Sequence, residues 1–352
     1  MKTILIIGGT GFIGPPLVRR LVDGGNAVAV FHRGRTHAEL PGSVVSIRGD
    51  RKDLPAYARE FERLAPQVVI DMVAYTEQQA LDLVRTFHGI ARRAVVVSSM
   101  DVYASYGRLR RLEEGGPDPR PAGEDGPLRQ AHFPYRAVAK GGDDLFYHYE
   151  KILVERAARG SPDLPATVLG LPAVYGPGDP HHRPLEYLKR MDDGRPAILL
   201  GSVRAGWRWS RGYVENVAAA VALAATDDRA AGQTYNVGER EARTEAEWVR
   251  DLGRAAGWSG SVLAVPEEQL PGHLRTPYDW RHDCIGDTGR IRSELGYREP
   301  VSAEEALRRT IAWERANPPG EVDPRQFDYA AEDAALARLK AGLTESHHTS
   351  LG

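Results

Sequence analysis

The chain has 352 residues, enough to bury a substantial core in one large or two modest domains. Its 46 basic and 48 acidic residues leave no global field for nucleic acid or an anionic membrane, and no apolar run approaches bilayer length. A single cysteine, Cys284, excludes an internal disulfide and a multi-cysteine metal centre. The first apolar run is too short and the glycines follow too early for a secretory signal, so a cytoplasmic protein is expected.

Ile4 to Ile7 form an unbroken β-branched and leucine run that suits a strand buried on both faces of a parallel sheet. Gly8, Gly11 and Gly14 follow at three-residue spacing. They allow a tight turn off the strand, close approach of a pyrophosphate to bare backbone, and tight packing of the next helix. Phe12 to Val22 carry an apolar helical face, and the start of that helix presents unpaired N–H groups and a positive dipole end to phosphate. A dinucleotide site at the start of the chain is the expectation.

The second strand, 27–31, leads to the residues that meet the adenosine ribose. A carboxylate there selects NAD, whereas this chain has His32, Arg33, Gly34 and Arg35, and guanidinium groups pair with a 2′-phosphate. NADP is therefore favoured over NAD. Further strands are expected at 44–47, 67–73, 94–97 and 166–169, alternating with helices at 57–64 and 77–87. The alternation predicts a doubly wound parallel α/β sheet with right-handed crossovers. From 104 to 142 periodicity fails, and a segment of that kind is a functional lid or a mobile loop. Helical pattern returns at Asp143 in DDLFYHYEKILVERAA, which places Tyr147 and Lys151 four apart on one face.

The run GGTGFIG at the N-terminus, the serines of SSMDVY, the Tyr147 and Lys151 pair, and the segments GWRWSRGYVENVA and ELGYREP together resemble the extended short-chain dehydrogenase/reductases, the NAD(P)-dependent epimerase/dehydratase branch. The resemblance covers residues 1 to about 317. It implies a Rossmann-type doubly wound parallel sheet with a smaller C-terminal substrate-binding lobe. The dinucleotide-binding part would be 1–170 and 211–238, with 104–142 inserted; the lobe would be 171–210 and 239–320; a helix and a frayed tail would fill 321–352.

The same resemblance implies Ser99, Tyr147 and Lys151 as catalytic residues. Lys151 would depress the Tyr147 pKa and hold the nicotinamide ribose, Tyr147 would exchange a proton with the substrate oxygen, and Ser99 would donate a hydrogen bond to it. Cofactor contacts would come from Gly8, Thr10, Gly11, Phe12, Ile13 and Gly14 in the turn, and from His32, Arg33, Arg35, Asp50 and Arg51 around the adenosine. Val73, Ala74, Tyr75, Ser98, Tyr147, Lys151 and Pro172 would complete that set. Asp101, Tyr103, His181, His182 and Arg211 are the candidate substrate residues, Arg211 standing where the family often grips a diphosphate. No group of residues has metal-ligand spacing.

Some positions depart from the family. Gly170 and Ala173 replace an arginine and an asparagine that usually contact nucleotide sugars, and Met100 replaces the acid of the sugar dehydratases, which disfavours water loss. The expected activity is hydride transfer between a nicotinamide and a hydroxyl or carbonyl carbon of a sugar, nucleotide sugar or related small molecule, by an epimerase or oxidoreductase. The alternative is a non-catalytic NAD(P)-sensing or RNA-binding member of the same fold; the presence of both Tyr147 and Lys151 argues against it. A homodimer is expected from the resemblance.

Overall fold

In the computed structural model all residues are described except His37 and residues 350–352, and the side chains of 342–349 are left aside. Seven strands form the central sheet: β1 (Thr3–Ile7), β2 (Ala27–His32), β3 (Val45–Arg48), β4 (Val68–Asp71), β5 (Arg93–Ser99), β6 (Ala166–Leu171) and, later in the chain, β10 (Thr234–Asn236). Between β6 and β10 lie β7 (Ala173–Tyr175), β8 (Ala197–Gly201) and β9 (Arg211–Tyr213), and β11 (Ser261–Val265) follows. The helices up to β6 are α1 (Gly14–Asp23), α2 (Ala58–Leu64), α3 (Glu77–Phe87), α4 (Ala104–Leu109), α5 (Leu145–His148) and α6 (Lys151–Arg159). After β6 come α7 (Leu185–Asp192), α8 (Ser202–Gly206), α9 (Val214–Thr226), α10 (Glu245–Ala256), α11 (Gly289–Leu295), α12 (Ala303–Ala316) and α13 (Tyr329–Thr349).

The sheet order is β10-β6-β5-β4-β1-β2-β3, and all of its pairings are parallel. The order reverses at β1, so a crevice opens beyond the carboxyl ends of β1 and β4, the position at which such sheets bind ligands. Burial explains why the strands read as continuous apolar runs. Ile4 and Ile6 join a core with α1 and α9, while Leu5 and Ile7 join one with α3 and α6. The doubly wound expectation is met. Two smaller parallel pairs, β8 with β11 and β7 with β9, lie outside the main sheet in the later part of the chain.

The segment 104–142 departs from the expected structureless lid. It opens as α4 and is then stitched to the body by backbone bonds: Ala104 N to Pro127 O, Arg129 N to Val102 O, and Ala122 with Ile285 and Asp287 in both directions, at 2.7–2.9 Å. At the other end of the chain, α13 runs from Tyr329 to Thr349, into the stretch expected to be a frayed tail. Part of the expected frayed tail is thus helical, and its last three residues lie outside the described ones. Glu332 fixes the start of this helix by pairing with Arg190 at 2.6 Å and His273 at 3.0 Å, beside Ala335 and Leu336 in a small apolar cluster.

Cys284 is buried against Leu109 and Trp207, and burial pushes its thiol up to about 12. A thiol at that value is almost wholly protonated near neutrality and inert. A disulfide exchange reagent at pH 8 is therefore expected to label no cysteine in the folded protein and one in denaturant; rapid labelling of the native protein would contradict this burial.

Candidate active site and cofactor crevice

The glycine turn fits a dinucleotide. Gly8 adopts φ +85, and a Cβ there would lie 2.7 Å from the Val73 side chain. A Cβ on Gly14 would lie 2.3 Å from the carbonyl oxygen of Gly9, so α1 packs directly on the turn. Gly11, by contrast, has open space: its nearest neighbour would be Gly8 O at 3.8 Å. Ile13 is the N-cap of α1, prolines occupy the first turn and no acidic side chain stands there. Bare amide groups at a positive helix end with room in front of Gly11 suit a diphosphate. Thr10 is half-buried in this turn, and Phe12 packs on the apolar core.

The adenosine side is divided. The His32 Nε2 lies 2.7 Å from the Ser46 hydroxyl, and its Nδ1 accepts from Gly34 N at 3.2 Å. Burial and then Arg48 lower its pKa. Arg33 and Arg35 are exposed at the end of β2, and the Arg33 charge acts on the Tyr75 phenol. Arg51 does not face the crevice as expected: its buried guanidinium donates to Asp71 Oδ2 at 2.7 Å and to Gln79 O, because the carboxylate closing β4 would otherwise be buried alone. Asp50 caps the turn that follows it, accepting from Lys52 N at 3.0 Å.

At the nicotinamide side the single helix expected from Asp143 is two helices. Tyr149 (φ -64, ψ 119) and Glu150 (φ -156, ψ 98) are extended and separate α5 from α6. Backbone is diverted here because Glu150 N donates to Tyr75 O at 3.0 Å while the Glu150 side chain caps Ile152 N at 3.0 Å. Tyr147 and Lys151 are therefore not one turn apart on a common helix. Tyr147 is half-buried on α5, where the Arg136 guanidinium lies 4.7 Å from its ring centre and Arg136 Nε donates to its carbonyl.

Lys151 occupies the crevice. It is buried, and Nζ donates to Ala74 O at 2.6 Å and Val97 O at 2.8 Å, at the carboxyl ends of β4 and β5. The Tyr75 ring lies 4.8 Å from Nζ and the Tyr149 ring 5.9 Å. Burial brings the ammonium down to about 8, against the pull of Asp101, Asp71 and Glu155. Tyr149 thus takes the place beside Lys151 that the sequence reading gave to Tyr147.

Around Tyr149 lies a buried polar cluster. Its phenol donates to Asp101 Oδ2 at 2.8 Å, and Tyr135 donates to the same oxygen at 3.0 Å. Tyr106 and Tyr135 hydroxyls are 2.9 Å apart. Burial raises the Asp101 pKa, opposed in turn by Arg129, the two phenols and Lys151. Burial and then Asp101 raise Tyr149 and Tyr135 well above the ordinary phenol, and Tyr106 to about 12. Ser99 accepts from Asp101 N at 3.2 Å and hydrogen-bonds the Tyr149 phenol, whereas Ser98 turns inward and donates to Glu155.

Behind Asp101 is a fully buried ion pair, Arg129 Nη2 to Glu150 Oε1 at 2.9 Å. Sequence reasoning missed Tyr106, Arg129, Tyr135, Tyr149 and Glu150. Three of these sit in the segment that showed no pattern, and Tyr149 was passed over because the resemblance pointed to the tyrosine four positions before Lys151.

The remaining substrate candidates are differently employed. Tyr103 donates to Asn236 Oδ1 at 2.8 Å and braces β5 against β10. His182 (φ 44) stacks on Trp313 at 5.5 Å and bonds Glu314 at 2.7 Å, tying its loop to α12, while His181 beside it is exposed. Arg211 is buried, with Nη2 paired to Glu245 and its guanidinium 4.6 Å from the Trp248 ring centre, while Nη1 has no hydrogen-bond partner among the described residues. Pro172 stands between β6 and β7. Among the described residues there is no cluster of three metal-ligating side chains and no helix long and apolar enough to cross a membrane.

Comparison with known proteins follows the same lines. A family model described as the NAD dependent epimerase/dehydratase family matches residues 4–238. A 2'-dehydrokanamycin reductase of Streptomyces kanamyceticus is 28% identical over 272 residues, covering 75% of this chain and 70% of the relative. A UDP-N-acetyl-alpha-D-glucosaminuronate decarboxylase of Bacillus cytotoxicus is 24% identical over 336 residues, covering 89% and 98%. Two solved structures share the fold. One is a UDP-glucose 4-epimerase of Thermus thermophilus in complex with NAD, with TM-score 0.63, 22% identity and coverage of 91% of this chain and 100% of that one. The other is the dTDP-glucose 4,6-dehydratase DesIV of Streptomyces venezuelae with NAD bound, with TM-score 0.64, 24% identity and coverage of 90% and 97%. With its glycine turn, seven-stranded parallel sheet and a match across most of its length, the chain belongs to the NAD dependent epimerase/dehydratase family, enzymes of the extended short-chain dehydrogenase/reductase type.

Proposed function

We propose that this protein is an oxidoreductase or epimerase that moves hydride between a nicotinamide and a hydroxyl or carbonyl carbon of a sugar, nucleotide sugar or related small molecule. The observation that carries this reading is the buried Lys151 ammonium, held by Ala74 and Val97 carbonyls beside Ser99 and Tyr149. When bound, the nicotinamide supplies the carbon that accepts or returns hydride. Gly8, Gly11 and Gly14 would hold the diphosphate, and Lys151 and Tyr75 the nicotinamide half. Ser99 would donate to the reacting oxygen, and the packed segment 104–142 would exclude water from it. The activities named for relatives span reduction, decarboxylation and dehydration, two of them on nucleotide sugars, and support this substrate range.

The test is to identify by mass the nucleotide that co-purifies, then measure hydride exchange on a panel of nucleotide sugars, free sugars and small ketones. Exchange with any of them supports the reading; a protein that binds nicotinamide cofactor and exchanges with none overturns it. The exposed Arg33 and Arg35 favour NADP, since a guanidinium pairs well with a 2′-phosphate. Replacing both by alanine is expected to weaken NADP binding about 10- to 100-fold, worth roughly 1.4–2.8 kcal/mol, with NAD binding nearly unchanged. Equal losses for the two cofactors in calorimetric titration would refute that preference.

A further inference from the structure

We infer that the phenol of Tyr149 is the acid/base of this site and that Asp101 is the proton store behind it, an assignment that rests on the hydride-transfer reading above. Tyr147 has no part in it. The geometry is a chain of donors and acceptors. The Tyr149 oxygen meets Ser99 on one side and donates to Asp101 Oδ2 on the other, at 2.8 Å. Its ring stacks on Tyr75 at 6.0 Å between centres, and Lys151 Nζ stands over both rings. Asp101 is nearly closed off from solvent: its residue is 4% exposed, and Oδ1 is buried with no hydrogen-bond partner among the described residues. A carboxylate so placed, with an unused oxygen, is poised to take a proton.

Charged and titratable groups reach the pair from several elements. Lys151 comes from α6, Tyr75 from the loop after β4, Tyr106 from α4, and Arg129 and Tyr135 from the segment that follows. These groups hold Asp101 in place from two sides while leaving the phenol of Tyr149 at the crevice beside Ser99.

In the oxidising direction the substrate O–H proton passes to the Tyr149 oxygen as the phenol's own proton passes to Asp101. The substrate carbonyl forms as the C–H electron pair leaves as hydride, for which a bound oxidised nicotinamide would be the acceptor. Reduction runs the same transfers in reverse. One hydride and one proton leave the substrate, and Tyr149 is a neutral phenol before and after. No standing phenolate is needed, which suits a phenol buried against a carboxylate.

The test pairs kinetics with a measurement that needs no substrate. Tyr149→Phe is expected to lower kcat about 100-fold or more with KM nearly unchanged, whereas Tyr147→Phe stays within roughly threefold of the parent. Asp101→Asn should lower kcat and flatten the acid limb of the pH profile. In the free protein, carbon NMR of labelled aspartate carboxyls, with Asp101 assigned through Asp101→Asn, follows the Asp101 titration directly. Tyr149→Phe removes a donor that favours the carboxylate, so the Asp101 midpoint should rise, and Tyr147→Phe should leave it fixed. A Tyr149→Phe enzyme with parental kcat, a Tyr147→Phe enzyme that loses as much, or an Asp101 midpoint indifferent to Tyr149 overturns the relay. A parent protein that exchanges hydride with nothing overturns the functional reading instead, and the NMR titration still decides whether Tyr149 and Asp101 are coupled.

Discussion

Alanine at Gly11 is expected to leave the melting temperature unchanged and weaken nucleotide binding at least about tenfold, while alanine at Gly14 should cost the fold itself roughly 3 kcal/mol. The two glycines belong to one motif but answer to different neighbours. A Cβ on Gly14 would sit 2.3 Å from Gly9 O and 2.4 Å from Gly9 C, and backbone at that distance cannot rotate aside. The turn or α1 must move, and with it the apolar face of Leu17, Val18 and Leu21. A Cβ on Gly11 meets protein only at 3.8 Å, so its cost falls on whatever occupies the space in front of the turn. Thermal melts with and without cofactor separate the cases. Equal destabilisation by both substitutions would mean that Gly11 is structural and that its open space is not a phosphate seat.

Glu150→Ala is the second large effect. Both side chains of the Arg129–Glu150 pair are fully buried, and Glu150 also accepts from Phe133 N at 2.6 Å and Ile152 N at 3.0 Å. Removing it strands a guanidinium away from water, and breaking one partner of a buried pair costs about 3–5 kcal/mol. A fall in melting temperature on the order of 10 °C is expected. The damage should spread, because the same residue starts α6 at Lys151 and Arg129 also binds Asp101 O. Replacing both partners, as Arg129→Met with Glu150→Leu, should recover part of the loss, since no charge is then left buried. A single variant within about 1 kcal/mol of the parent would show that water reaches Arg129.

The sheet and glycine turn were legible because their causes are local. A buried parallel strand must be apolar on both faces, as Ile4 to Ile7 are, and a turn under a helix must lack a Cβ where Gly14 meets Gly9. Lys151, read from its position after the fifth strand, lies with Nζ on the carbonyls of Ala74 and Val97. The break at Tyr149 and Glu150 was not legible. Glutamate is an ordinary helix residue, and its capture by Arg129, 21 positions earlier, decides the matter against local propensity. The partners of Arg51 and Arg211 were not legible for a related reason. Sequence shows a guanidinium but not the buried carboxylates, Asp71 and Glu245, that claim it. The segment 104–142 lacks periodicity because its order comes from single bonds to distant chain, not from repeating backbone geometry.

That segment carries Arg129 and two of the three phenols gathered about Asp101. Evolution or an engineer who exchanged it for a relative's loop, hoping to change which molecule is admitted, would at the same stroke replace the surroundings of the carboxylate. A loop transplant that leaves the setting of Asp101 intact would therefore have to carry Tyr106, Arg129 and Tyr135 along.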